Sequence, residues 1–146
     1  MKQHKINGSG KVFDKTKAEE GAFFVKMPSD LMNYVHVPGY KPEYSYLYTI
    51  IVDYYNADYG YAFPTEWQIS RYYGKGVKTV RNHLKKLEDF GLIKIQKPRR
   101  NNVYIPFKPL SQEELFRVCP EARQNYSKTF QDEAAEYERE ARNKQK

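Results

Sequence analysis

A mainly α fold carrying one small β-hairpin, α+β in class, is predicted by three features of the sequence. Apolar residues recur at spacings of three and four between Glu43 and Asp89. Two short alternating runs, IKIQK and VYIPF, then flank the polar stretch PRRNN. A further helical pattern follows Pro120, with Ala122, Tyr126, Phe130, Ala134, Tyr137 and Ala141 again three and four apart.

The elements follow in order along the chain. Residues 1–20 hold Gly8, Gly10 and many charges with few apolar residues, and read as a flexible basic arm. Ala22 to Met27 (AFFVKM) has the aromatic and β-branched content of a strand. Ser29 stands as an N-cap before DLMNYV, a short helix, and VPGYKP is a loop. The stripe Tyr44, Leu47, Tyr48, Ile51, Val52, Tyr55 predicts a first long helix from Pro42 to Asn56, which NADYGYAFP breaks. Thr65 caps a second helix, EWQISRYY, with Trp67, Ile69 and Tyr73 available for packing and Gly74 closing it. The third helix runs from Val77 to Asp89 with Val80, Leu84 and Leu87 on its inner face, and Gly91 follows as its C-terminal cap. In the hairpin Ile93, Ile95, Val103 and Ile105 are expected to face the core while the tip stays charged. Ser111 and Glu114 form a capping box at the start of a helical C-terminal extension, 109–146. One folded domain is thus expected over 21–108, between the arm and this extension.

Composition bounds the function. The chain has 146 residues, 25 basic against 18 acidic, a net charge of +7 and a pI near 9.3. Mean hydropathy is −0.89, and no apolar run approaches the length of a membrane span, so no membrane association is expected. The leading MKQHKINGSGKVFDK lacks the apolar segment of a secretory signal, which predicts a cytoplasmic, nucleoid- or plasmid-associated protein. Cys119 is the single cysteine, excluding an internal disulfide. His4, His36 and His83 show neither HxH nor HExxH spacing, and no glycine-rich phosphate loop is present. No metal, cofactor or catalytic group is therefore expected, and the chain reads as a non-enzyme.

The charge has an address. Residues 71–108 hold eleven basic and two acidic residues, a net of +9, while the remainder sums to −2. A basic block interleaved with apolar residues at helical spacing points to a folded face for nucleic acid. Helix, glycine-containing turn, second helix and basic-tipped hairpin form the order of a winged helix-turn-helix. Its second helix needs one apolar face to seat it on the domain and an opposite face that reaches base edges in the major groove. The DNA-facing set is accordingly Lys75, Gly76, Lys78, Thr79, Arg81, Asn82, Lys85 and Lys86 on turn and helix, with Lys97, Arg99, Arg100 and Asn101 on the wing. Arg and Lys suit guanine and Asn suits adenine, whereas Lys85, Lys86 and the wing residues suit phosphates or a neighbouring minor groove. His83, beside Leu84, fits packing or hydrogen bonding.

The stretch FPTEWQISRYYGKGVKTVRNHLKKLEDFGLIKIQKPRRNNVYI, 63–105, resembles the winged helix-turn-helix of GntR-type and MarR-type regulators. It is more similar still to the DNA-binding domains of plasmid and phage replication initiators, and FFVKMPSDLM with YSYLYTIIVDYYN extends the likeness to 22–108. That resemblance implies that Gly76, Val77, Lys78 and Thr79 open the recognition helix and that Arg81, Asn82 and Lys85 touch DNA. Many such relatives carry Ser or Thr where Gly76 stands, so a capping side chain is missing here, leaving backbone amides for a phosphate. The expected function is sequence-specific binding of double-stranded DNA, in transcription regulation or in plasmid or phage replication or partition. Tyr126, Phe130, Ala134 and Tyr137 are the expected homodimer contacts. Two alternatives stay open: a tyrosine-dependent nicking enzyme, suggested by 14 tyrosines, and a winged helix that binds protein. Tyr72 and Tyr104, near the basic elements, are the tyrosines whose packing role is least evident.

Overall fold

A computed structural model describes residues 4–16 and 24–145. A 3-10 helix, Ser29–His36, leads into α1, Pro42–Tyr54. Pro42 occupies the first helical turn, where its fixed φ suits a helix start and its missing N–H costs nothing. Tyr44, Leu47, Tyr48 and Ile51 are buried as their spacing predicts. The helix ends two residues earlier than expected, because Tyr55–Asn56 forms β1 and pairs antiparallel with β2, Tyr61–Ala62. The side chain of Asn56 accepts from the N–H groups of Asp58 and Tyr59, and Gly60 takes φ +78°. These supply the turn chemistry of a hairpin where the sequence suggested only a break.

In α2, Glu66–Tyr73, Thr65 and Gln68 cap each other reciprocally. Gly74 ends it at φ +73°, a left-handed conformation glycine adopts without penalty. Helix α3, Val77–Asp89, closes with paired bonds from Leu92 N–H to the Leu87 carbonyl and from Gly91 N–H to the Glu88 carbonyl. That is the Schellman arrangement, and it turns the chain into β3, Ile93–Gln96. Strand β4, Val103–Pro106, completes a four-stranded sheet in the order β1-β2-β4-β3.

The register corrects the expected facing of β4. Ile95 lies opposite Tyr104, and Ala62 of β2 is also opposite Tyr104. Residues directly opposed in an antiparallel pair share a face, so Ile93, Ile95, Tyr104 and Ala62 point to the core. Val103 and Ile105 therefore point to the other face of the sheet. Tyr104 is 1% exposed and central to the core, and burial pushes its hydroxyl pKa up. Two other buried tyrosines behave similarly: Tyr48 of α1 donates to the Phe107 carbonyl at 2.6 Å, and Tyr40, just before α1, shares a 2.7 Å bond with Ser45. Burial raises Tyr40 to about 12. No buried side-chain polar atom among the described residues lacks a partner.

Three further expectations are revised, and a fourth falls partly outside the described residues. Ala22 and Phe23 lie outside the described residues, and Phe24–Met27 pairs with no strand and is exposed. Residues 1–3 and 17–20 of the expected arm also lie outside them. Pro28, not Ser29, precedes the 3-10 helix, and no side chain caps it. Trp67 is 71% exposed rather than packed, since Ile69 and Tyr73 already fill the inward side of α2.

The C-terminal part is anchored to the domain at its near end. Ser111 accepts from Glu114 N–H to open α4, Gln112–Val118, which makes half of the expected capping box; the Glu114 carboxylate accepts from the Ser111 hydroxyl at 3.0 Å rather than from its backbone N–H. Leu115 enters the core, the Leu110 N–H donates to the Tyr34 hydroxyl, and Asn125 donates to the His36 carbonyl. Helix α5, Pro120–Lys144, buries Ala122 and half-buries Tyr126. From Ser127 onward every described residue of α5 is exposed. Ion pairs Lys128–Asp132, Glu136–Arg139 and Glu138–Arg142, at helical spacing, support this projecting part. No helix among the described residues is long and apolar enough to cross a membrane.

Candidate nucleic-acid interface

The α2–turn–α3 unit is held from several sides. Ser70 of α2 donates its hydroxyl to the Lys75 carbonyl at 2.6 Å, fixing the turn. Val80, Leu84 and Leu87 seat α3 in the core. On its flank His83 Nδ1 shares a 2.8 Å hydrogen bond with the Tyr73 hydroxyl, and its ring packs edge-on against Tyr44 at 5.0 Å. Burial holds the His83 pKa below the ordinary imidazole value. The expected packing role of this histidine is what the geometry displays.

Opposite the seated face, Lys78, Asn82 and Lys86 follow at i, i+4 and i+8 and are all exposed. Among the described residues none of the three has an ion-pair or side-chain hydrogen-bond partner, so all are available to a ligand. Thr79 is half-buried beside this stripe. Gly76 is the N-cap, with no side-chain cap bond, which leaves the first amides of α3 open at the positive end of the helix dipole.

Three of the anticipated contacts are engaged elsewhere. Arg81 forms a two-pronged pair with Glu66 of α2, at 2.8 Å and 3.1 Å. It lies on the flank of α3 facing α2, so it braces the two helices rather than standing free as a base reader; Glu66 pushes its pKa further up. Lys75 lies 3.5 Å from Glu43 of α1. Lys85 lies 2.8 Å from Glu88 and 3.9 Å from Asp89. The other oxygen of Glu88 accepts from the Ile95 N–H at 2.9 Å and ties the base of the hairpin to α3. Both bonds, Lys85 first, hold the Glu88 carboxyl below its usual range. Exposed pairs of this kind are weak, so a phosphate can compete for Lys75 and Lys85.

At the hairpin tip Lys97, Arg99, Arg100 and Asn101 are all exposed, in a turn that spans 97–102. A seated helix with a free polar stripe, preceded by a capped helix and followed by a basic hairpin bound to its end, completes the architecture. The chain carries a winged helix-turn-helix domain. A family model described as Helix-turn-helix domain matches residues 46–93, from α1 to the start of β3. The chain is also similar to a solved structure titled "N-Terminal domain of DNA binding protein". That similarity covers 75% of this chain and 93% of the other, with a TM-score of 0.51 and 14% identity, a likeness of fold. No curated protein matches the sequence.

Sequence reasoning missed two features of the winged helix-turn-helix. Glu66 was not paired with Arg81, because the two stand 15 positions apart with no periodicity linking them. The aromatic run Tyr59, Tyr61, Phe63 was read as a break, although its period of two around buried Ala62 is a strand signal. Of the anticipated dimer contacts, Tyr126 is used within the chain, packing at 5.3 Å against both His36 and Phe116. Phe130, Ala134 and Tyr137 remain exposed. Among the described residues no group of three or more His, Cys, Asp and Glu side chains is arranged to hold a metal.

Proposed function

We propose that this protein binds double-stranded DNA sequence-specifically and without enzymatic activity, with α3 in the major groove and the hairpin wing on the flanking backbone or minor groove. The observation that carries this reading is the unpartnered stripe Lys78, Asn82, Lys86 on the outward side of a helix whose other side is locked in the core. Asn82, in the middle, suits a bidentate contact with adenine, and the lysines suit guanine or phosphate. Lys97, Arg99 and Arg100 extend the positive surface along the phosphate rail. The hydroxyls of buried Tyr40 and Tyr48 are occupied by internal hydrogen bonds, which supports packing over nucleophilic chemistry for these two.

Pairing through α5 belongs to the same reading. Phe130, Ala134 and Tyr137 lie on a projecting helix, and two-fold pairing would let two recognition helices read half-sites about one helical turn apart, ~34–36 Å. Such a protein acts in transcription or in replication or partition of a plasmid or phage, in association with that DNA. Selection of bound sequences from random duplexes at two salt concentrations tests the proposal. A selected site with inverted half-sites, bound less tightly as salt rises, is the expected result. No enriched sequence, or affinity insensitive to salt, overturns it.

A further inference from the structure

One side of the wing tip belongs to a second surface, whose aromatic wall duplex recognition by α3 does not use. Tyr59 in the β1–β2 turn, Tyr61 in β2 and Phe63 just after it form one aromatic group, while Ala62 between the last two is buried in the core. Tyr59 and Tyr61 are stacked at 5.9 Å, and Phe63 meets them edge-on at 5.6 Å and 6.0 Å. Tyr59 and Phe63 are 61% and 52% exposed. Facing these rings across a groove of about 840 Å³ are Arg99, Arg100 and Asn101 of the wing tip, with Val103 between the two walls. Val103 is buried although it points away from the main core, and it lines the groove together with these rings.

The chemistry of the groove selects its occupant. Its lining holds two arginines and no carboxylate, so it favours an anion. Its other wall offers ring faces, which gain most from another flat π system. Bases within a duplex are already stacked and present only their edges to the grooves, so they cannot use these faces. Unpaired bases on a phosphate chain satisfy both walls at once. We propose that this groove binds single-stranded DNA, stacking unpaired bases on Tyr59, Tyr61 and Phe63 while Arg99 and Arg100 hold the phosphates. The protein then engages a duplex through α3 and an adjoining unpaired strand through the groove, as at a site where the duplex has opened.

The test uses the full chain and fluorescence anisotropy with a labelled thymidine oligonucleotide of about twelve residues, within the ~4–16 nucleotide range of single-strand sites. An abasic oligonucleotide of equal length supplies the same phosphates without bases. The thymidine strand should bind about tenfold or more tightly than the abasic one. Tyr59→Ala and Phe63→Ala should each lose about tenfold, Tyr59→Leu should lose as much, and Tyr59→Phe should stay within about twofold. All four variants should keep duplex affinity and melting temperature, since both side chains are exposed. Equal binding of thymidine and abasic strands overturns the proposal, as does full single-strand affinity in the alanine variants. Equal loss of duplex affinity in those variants also overturns it, because the groove would then be part of the duplex contact.

Discussion

Gly76 stands at the N-cap of the recognition helix, and replacing it with serine tests how that helix is held. Its φ of −63° and ψ of 159° are extended backbone open to any residue, and a Cβ added there meets no atom within 4 Å. A serine hydroxyl would accept from the N–H of Lys78 or Thr79, an interaction worth a few tenths of a kcal/mol over glycine. Restricting the unfolded chain favours serine in the same direction by about 0.4–1 kcal/mol, part of which that cap difference already contains. Gly76→Ser should therefore stabilise the fold by about 0.5–1 kcal/mol. At about 2.1 cal/mol/K per residue over 146 residues, that raises Tm by roughly 2–3 °C. Gly74, two residues earlier, is the internal control: its φ of +73° is left-handed, so Gly74→Ala should cost about 1–2 kcal/mol and lower Tm by roughly 3–6 °C. Thermal unfolding followed by circular dichroism measures both. A Tm for Gly76→Ser at or below that of the unaltered protein would show that the turn does not have the conformation described and would refute the reasoning.

Asn82→Ala should relax base preference at one position by about 1–3 kcal/mol, read from duplexes varied base by base, whereas Lys78→Gln should weaken all sequences alike and flatten the log–log salt slope by about 0.9. Arg81→Ala and Glu66→Ala should each destabilise the α2–α3 pair, and the double variant should be no worse than the more severe single one; additive losses in urea unfolding would show that the two side chains act independently. Burial keeps His83 neutral with a lowered pKa, so on acidification the unfolded chain takes up the proton first. Stability should be independent of this group above its ordinary value of 6.5 and fall as pH drops from there to the folded pKa; nearby Lys41 and Lys75 strengthen the effect and Glu43 opposes it. His83→Gln should flatten that part of a pH series of urea midpoints. Phe130→Glu with Tyr137→Glu should leave helical content by circular dichroism unchanged, both sites being exposed, shift sedimentation from dimer to monomer and remove any dependence of Tm on protein concentration; a monomer before substitution would remove α5 from the oligomeric reading.

Local rules account for most of the domain's elements. The three-and-four spacing in 43–89 marks α1 and α3, Thr65 with Gln68 marks the start of α2, and Gly74 and Gly91 mark helix ends, since caps and left-handed turns depend on residues a few positions apart. The second hairpin, Tyr55–Ala62, was concealed because strands of two residues each are too short for periodicity to show. The candidate interface was legible as a basic block on a seated helix. Its free members were not, because pairing of Arg81 with Glu66 or Lys75 with Glu43 joins residues on different helices.

The succession of α1, α2 and α3, the seated face of α3, the glycine stops and the concentration of charge at 71–108 are properties of neighbouring residues, and the sequence alone determined them. Tertiary structure decided which basic side chains remain unpartnered, that Tyr104 rather than Val103 faces the core, that Tyr126 packs within its own chain, and that an aromatic wall faces the wing arginines. Each of these depends on strand register or on the crossing of two helices. A shift of one residue in register reverses every side chain of a strand, and only packing of the whole core chooses between the alternatives.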